Sequence, residues 1–112
     1  MDERRKFQRY PVSLEAIVQD SDGKQQHCRV SDVSREGVRL LLREHIPFRQ
    51  TINLRILLPQ PHEAVTALMS VRWTRPLDGN DLFTSAAGGD IRCDGKDKDR
   101  LIAYVESLHR TA

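Results

Sequence analysis

Arg5 and Arg9 stand four residues apart near the start of the chain, and Asp32-Val33-Ser34-Arg35-Glu36-Gly37 follows further on. A guanidinium is planar, permanently charged and fork-shaped, so it can grip a phosphate through two parallel hydrogen bonds. Its donors also match the O6/N7 edge of guanine, and its flat face can stack on a purine. Extended chain would hold Arg5 and Arg9 roughly 13 Å apart, at about 3.3 Å per residue. A turn would shrink that to roughly 6 Å, letting both address one small ligand. In the second segment, the Asp32 carboxylate can accept from the N1–H and N2–H₂ donors of guanine, and Ser34 adds a hydroxyl two residues on. Gly37 permits a positive φ or a close backbone approach. Together these residues describe a receptor for a compact, doubly charged guanine nucleotide.

The elements that must position them follow from hydrophobic periodicity. Val12, Leu14, Ala16 and Val18 alternate, predicting a strand over 11–19, and Asp20-Ser21-Asp22-Gly23 is a hairpin signal. A return strand over 25–31 carries Cys28 and Val30 inward, leaving Asp32–Gly37 as a turn before Val38, Leu40 and Leu42. Ile52, Leu54, Ile56 and Leu58 predict the next strand, stopped by Pro59 and Pro61. Residues 64–75 place Val65, Ala67, Met69, Val71 and Trp73 on one parity, which puts Trp73 in the core or at a barrel rim. Ser85-Ala86-Ala87-Gly88-Gly89 is weak strand material. Leu101, Ile102, Val105 and Leu108 form a stripe predicting a helix over 97–110, capped by Asp97 or Asp99, with His109 and Arg110 at its negative end. The pattern is a barrel-like run of strands followed by one helix.

At 112 residues the chain suits one domain: a basic arm over 1–10, expected to be flexible, and a barrel with its helix over 11–112. A hydrophobic content of 38% and a charged content of 30% describe a soluble globular protein. The net charge of +2 is too balanced for a surface-wide nucleic-acid footprint, and the basic excess is local, at Arg4, Arg5, Lys6 and Arg9. With no long apolar run and a charged start, membrane-spanning and secretory readings fail, and a cytoplasmic setting is expected. Cys28 and Cys93 lack metal-ligand spacing and read as buried, reduced thiols. His27, His45, His62 and His109 are scattered, and neither a metal motif nor a catalytic fingerprint occurs, so no enzymatic activity and no cofactor are expected.

Arg5-x-x-x-Arg9 followed by Asp32-x-Ser34-x-x-Gly37 resembles the two-part signature of the PilZ domain, a bacterial receptor module for cyclic di-GMP, and the resemblance runs from the arm to the C-terminal helix. It implies a six-stranded antiparallel β-barrel with a C-terminal α-helix. It also implies that Arg5 and Arg9 take phosphates and a guanine face while Asp32 and Ser34 read a guanine edge. The chain departs from the family where the closing strand often reads Gly-aliphatic-x-Phe, against Asp90-Ile91-Arg92-Cys93 here, which leaves the register of the last strand open. An aromatic on the family's matching strand can face the ligand, so Trp73 is carried as a secondary contact. A basic residue at the position of Arg4 is compatible with capture of an intercalated cyclic di-GMP dimer, giving two nucleotides per chain. The resulting expectation is a receptor that orders its arm on binding and signals to a separate effector protein. Two alternatives stand beside it: a PilZ-fold assembly protein without nucleotide, which would typically lack both motifs, and a small barrel for single-stranded nucleic acid. The second should present several exposed aromatics, and the aromatic content here is 5%.

Overall fold

The computed structural model describes residues 8–79 and 82–111. Six strands follow in order, β1 (Tyr10–Gln19), β2 (Gln25–Val33), β3 (Gly37–Leu42), β4 (Thr51–Ile56), β5 (Val65–Pro76) and β6 (Ser85–Arg92), and then one helix, α1 (Gly95–Thr111). All pairings are antiparallel, and the sheet closes into a barrel in the order β1-β2-β3-β6-β5-β4. Closure leaves no free sheet edge. The alternating sets meet inside: Leu14, Ala16 and Val18 face Val30, Val38, Leu40, Ile52, Leu54, Ile56, Val65, Ala67 and Met69, all buried. Leu101, Tyr104 and Val105 of α1 pack onto that core, which is what a one-sided apolar stripe on a helix requires.

Several boundaries differ from the sequence expectation. Tyr10 is buried and already paired with Val33, so the barrel begins at residue 10, one residue earlier than expected. Strand β2 runs on through Asp32 and Val33, with a bulge between Val30 and Asp32, so Asp32 is a strand residue and the turn proper is Ser34–Gly37. Strand β4 ends at Ile56, and Leu58 is only half-buried against the core. Helix α1 starts at Gly95. Asp97 sits inside its first turn and accepts instead from the Thr66 amide at 3.1 Å. Cys28 is buried but Cys93 is half-buried, and both thiols are free.

The stretch from Ser85 to Gly89, weak by propensity, is the strand that closes the barrel. It is inserted between β3 and β5, with Gly89 opposite both Val38 and Val71 and Gly88 opposite both Arg39 and Trp73, and this fixes the register left open by the sequence. Its residues are small because its neighbours come close. A Cβ on Gly89 would lie 1.9 Å from the Ser70 carbonyl oxygen, and one on Gly88 would lie 2.3 Å from the Trp73 indole. A second bulge, between Val71 and Trp73, breaks the parity of β5. Trp73 therefore leaves the inward row of Met69 and Val71 and lies half-buried across Gly88, outside the core cluster.

Candidate functional site

The two halves of the sequence motif meet at one place on the barrel wall. Arg9, the last residue before β1, directs Nη1 to Asp32 Oδ1 at 3.2 Å, and both side chains are about a quarter exposed, at 24% and 26%. The meeting follows from strand pairing, because Tyr10 pairs with Val33 and Pro11 with Asp32. Gly37 completes it. Its φ is not in the left-handed region, so its value lies in close approach: an added Cβ would lie 3.0 Å from Arg9 Nη2 and 3.2 Å from the Gly89 carbonyl oxygen. The guanidinium of Arg9 thus lies against a backbone stripped of its side chain.

Ser34 has a structural part in this site. It is buried, 4% exposed, and its Oγ accepts from the Glu36 amide at 3.2 Å and the Gly37 amide at 3.0 Å. Its own amide donates to the Gly37 carbonyl at 2.9 Å. The hydroxyl accordingly closes the turn that carries Asp32 and Gly37, as serine commonly does in such turns. Arg4 and Arg5 lie outside the described residues, so the structure is silent on the first half of the arginine pair.

Outward positions line up across four strands. Asp32 is the register partner of Arg39, Arg39 of Gly88, and Gly88 of Trp73. Arg39 donates from Nη1 to Ser31 Oγ at 3.0 Å, and the Arg75 guanidinium lies 5.1 Å from the centre of the Trp73 ring. Arg39 and Ser31 were not foreseen as site residues. The available signal was parity, since Arg39 stands two residues past Gly37 and so shares its face.

Beside the turn, a groove of about 330 Å³ is lined by Gln8, Tyr10, Arg35, Val105, Glu106, His109 and Arg110. Tyr10 Oη and His109 Nδ1 share a 2.7 Å hydrogen bond, and Arg35 approaches Glu106 at 4.0 Å. These contacts tie the last turns of α1 to residues adjacent to Arg9 and Ser34. Burial pushes the Cys28 thiol up to about 12, so it stays protonated and is a poor nucleophile at neutral pH. Burial, followed by Asp97 and Asp94, likewise raises Cys93. Among the described residues no cluster of His, Cys, Asp and Glu could hold a metal ion, and no helix is long and apolar enough to cross a membrane.

Known proteins share this architecture. A structure of the inhibitor of motility MotI/DgrA from Bacillus subtilis matches with a TM-score of 0.77 at 16% identity, over 98% of this chain and 53% of that one. The K. pneumoniae MrkH–c-di-GMP complex matches with a TM-score of 0.78 at 11% identity, over 99% of this chain and 55% of that one. The PilZ domain of Escherichia coli YcgR, solved with c-di-GMP, matches with a TM-score of 0.71 at 15% identity, over 97% and 94% of the two chains. The chain thus spans about half the length of the first two, and at these identities the likeness is one of fold. No curated protein sequence matches. The model of the PilZ domain family matches residues 3–107, nearly the whole sequence. The chain belongs to the PilZ domain family.

Proposed function

We propose that this PilZ domain is a non-catalytic receptor for cyclic di-GMP. The observation that carries the reading is the 3.2 Å contact between Arg9 and Asp32, which joins two motif halves 23 positions apart at one partly exposed spot. Each group presents what the other would seek in the ligand. The Arg9 guanidinium offers a carboxylate the kind of N–H donors that a guanine edge offers, and Asp32 offers Arg9 anionic oxygens as a phosphate does. A nucleotide carrying both features can take over both partners without leaving either charge unpaired. Two of the matched structures, MrkH and the YcgR PilZ domain, are described as complexes with c-di-GMP, which supports the same ligand class here.

In this proposal Arg5 and Arg9 hold phosphates and a guanine face, Asp32 reads the N1–H/N2–H₂ edge, and Gly37 keeps the backbone close. Ser34 acts by holding the turn, and Trp73 is a secondary contact at the far end of the outer row. Arg4 adds the further charge that an intercalated dimer of the nucleotide needs, giving two nucleotides per chain. Binding draws the arm that precedes Arg9 onto the barrel and alters a surface read by a separate effector protein in the cytoplasm.

The test is a calorimetric titration with cyclic di-GMP and, in parallel, cyclic di-AMP. Binding of the first with far weaker binding of the second is expected, because adenine lacks the donors that Asp32 reads and a hydrogen-bonding site rejects a ligand that leaves its groups unpaired. Equal affinities would refute the role of Asp32, and a ratio of one nucleotide per chain at saturation would refute the dimer.

A further inference from the structure

We propose that Arg39 is a further phosphate-binding residue of this site, so that the nucleotide lies across β2, β3 and β6 instead of being held only at the arm and the turn. The inference rests on the cyclic di-GMP reading above and says where on the barrel the ligand lies.

Three observations support it. Arg39 faces outward between the inward Val38 and Leu40, and it is half-buried, so its charge is partly desolvated. Its cross-strand neighbour Asp32 is already engaged by Arg9, so two guanidinium groups flank one carboxylate and the strip keeps a surplus positive charge. Arg39 has no carboxylate partner of its own among the described residues. Its side-chain partner among the described residues is a neutral hydroxyl, Ser31 Oγ at 3.0 Å, and Ser31 Oγ in turn donates to the Arg39 carbonyl at 3.3 Å. Four other described arginines meet a carboxylate: Arg9 with Asp32, Arg35 with Glu106, Arg72 with Asp90 and Arg100 with Glu63. Arg29 also rests on a hydroxyl, that of Ser13, but it stands opposite Glu15.

A partly buried guanidinium with spare donors and a neutral anchor is poised for an anion. The Ser31 bond holds one nitrogen while the remaining N–H groups stay available for a bidentate grip. The next position across the sheet is Gly88, covered by the Trp73 indole, which offers no acceptor to compete for those donors. Neighbouring strands lie about 4.8 Å apart, so Arg39 is one strand spacing from Asp32. That separation lets the carboxylate take a guanine edge while Arg39 takes a phosphate of the same small ligand.

The test compares Arg39→Gln, Arg43→Gln and Arg9→Ala with the unaltered domain by calorimetric titration with cyclic di-GMP at low and moderate salt. Glutamine keeps a donor for Ser31 while removing the charge, and Arg43, exposed just past the end of β3, controls for net charge alone. Thermal unfolding confirms that each variant is folded. Arg39→Gln is expected to weaken binding by about tenfold to a hundredfold, the value of a charge-assisted contact, and to lessen its salt dependence. Arg43→Gln is expected to change neither. If Arg9→Ala loses binding while Arg39→Gln matches Arg43→Gln, the ligand does not reach Arg39: the inference falls and the receptor reading stands. If the unaltered domain does not bind cyclic di-GMP, both fall.

Discussion

Two turns of the barrel each have an aspartate at their approach, Asp20 at one and the strand residue Asp32 at the other, and the two carboxylates are used in opposite ways. In Asp20-Ser21-Asp22-Gly23, between β1 and β2, the Asp20 carboxylate accepts from the Asp22 and Lys24 amides, both at 2.9 Å, and Gly23 takes a φ of +84°. The carboxylate is thereby absorbed into its own turn. Between β2 and β3 the serine does that work, with Ser34 Oγ accepting from the Glu36 and Gly37 amides. Asp32 is left to face Arg9, and Gly37 serves a close approach instead of a left-handed backbone. An aspartate beside a turn keeps its carboxylate for other partners when another group satisfies the turn's amides, as Ser34 does here. Serine two residues later is what frees it here.

The largest expected effect separates the two aspartates. Arg9→Ala or Asp32→Ala should cost about 2–5 kcal/mol of cyclic di-GMP binding while leaving the fold intact, because both side chains lie outside the core. Arg5→Ala should act like Arg9→Ala. Asp20→Ala should leave binding unchanged and lower stability by about 1 kcal/mol through its two lost amide contacts. Calorimetry and thermal unfolding on the same preparations read both quantities, and a binding defect in Asp20→Ala would erase the distinction.

A smaller effect distinguishes the serines. Ser34→Ala leaves the Glu36 and Gly37 amides without their acceptor in a turn whose two ends are buried, at a cost of about 1–3 kcal/mol of stability. Because the turn presents Asp32, binding should weaken as well. Ser21→Ala, on an exposed position of the hairpin, should stay within about 0.5 kcal/mol of the unaltered protein. Equal stability of the two variants in a denaturant titration would show that Ser34 does not hold the turn.

The glycines give the smallest effect, with opposite signatures. Gly23→Ala forces an L-residue into positive φ and should lower stability by about 1–2 kcal/mol without touching affinity. Gly37→Ala meets no φ penalty but crowds Arg9 and the Gly89 carbonyl, so it should weaken cyclic di-GMP binding by about tenfold, near 1.4 kcal/mol. Unaltered binding by Gly37→Ala would mean that Arg9 does not need to lie against that backbone.

Much of this arrangement was legible in the sequence. Four of the first five strands show clean period-two alternation, which reports one buried face directly, and both motif halves could be read from residue type and spacing. Three features escaped for identifiable reasons. The strand over Ser85–Arg92 looked weak because propensity scales reward bulky side chains, whereas its small residues answer to neighbours that only the folded barrel supplies. Trp73 was placed with Met69 and Val71 because a bulge shifts parity by one residue and leaves no mark in the pattern. The burial of Ser34 depends on how the turn folds against β6, and residue type alone does not say whether its hydroxyl closes the turn, meets a ligand or does both.

The hydrogen bond between Tyr10 and His109 has a thermodynamic consequence for the neighbouring arginine. Tyr10 is buried, paired to Val33 and fastened to the last turns of α1, so the backbone next to Arg9 is immobilised once the domain folds. Ordering a residue's backbone costs about 1–2 kcal/mol in conformational entropy. For the chain beside Arg9 that cost falls on folding and not on ligand capture, so a larger share of the contact energy appears as affinity. An anchor aromatic one position after a ligand-gripping arginine is, in this sense, a device for preorganisation.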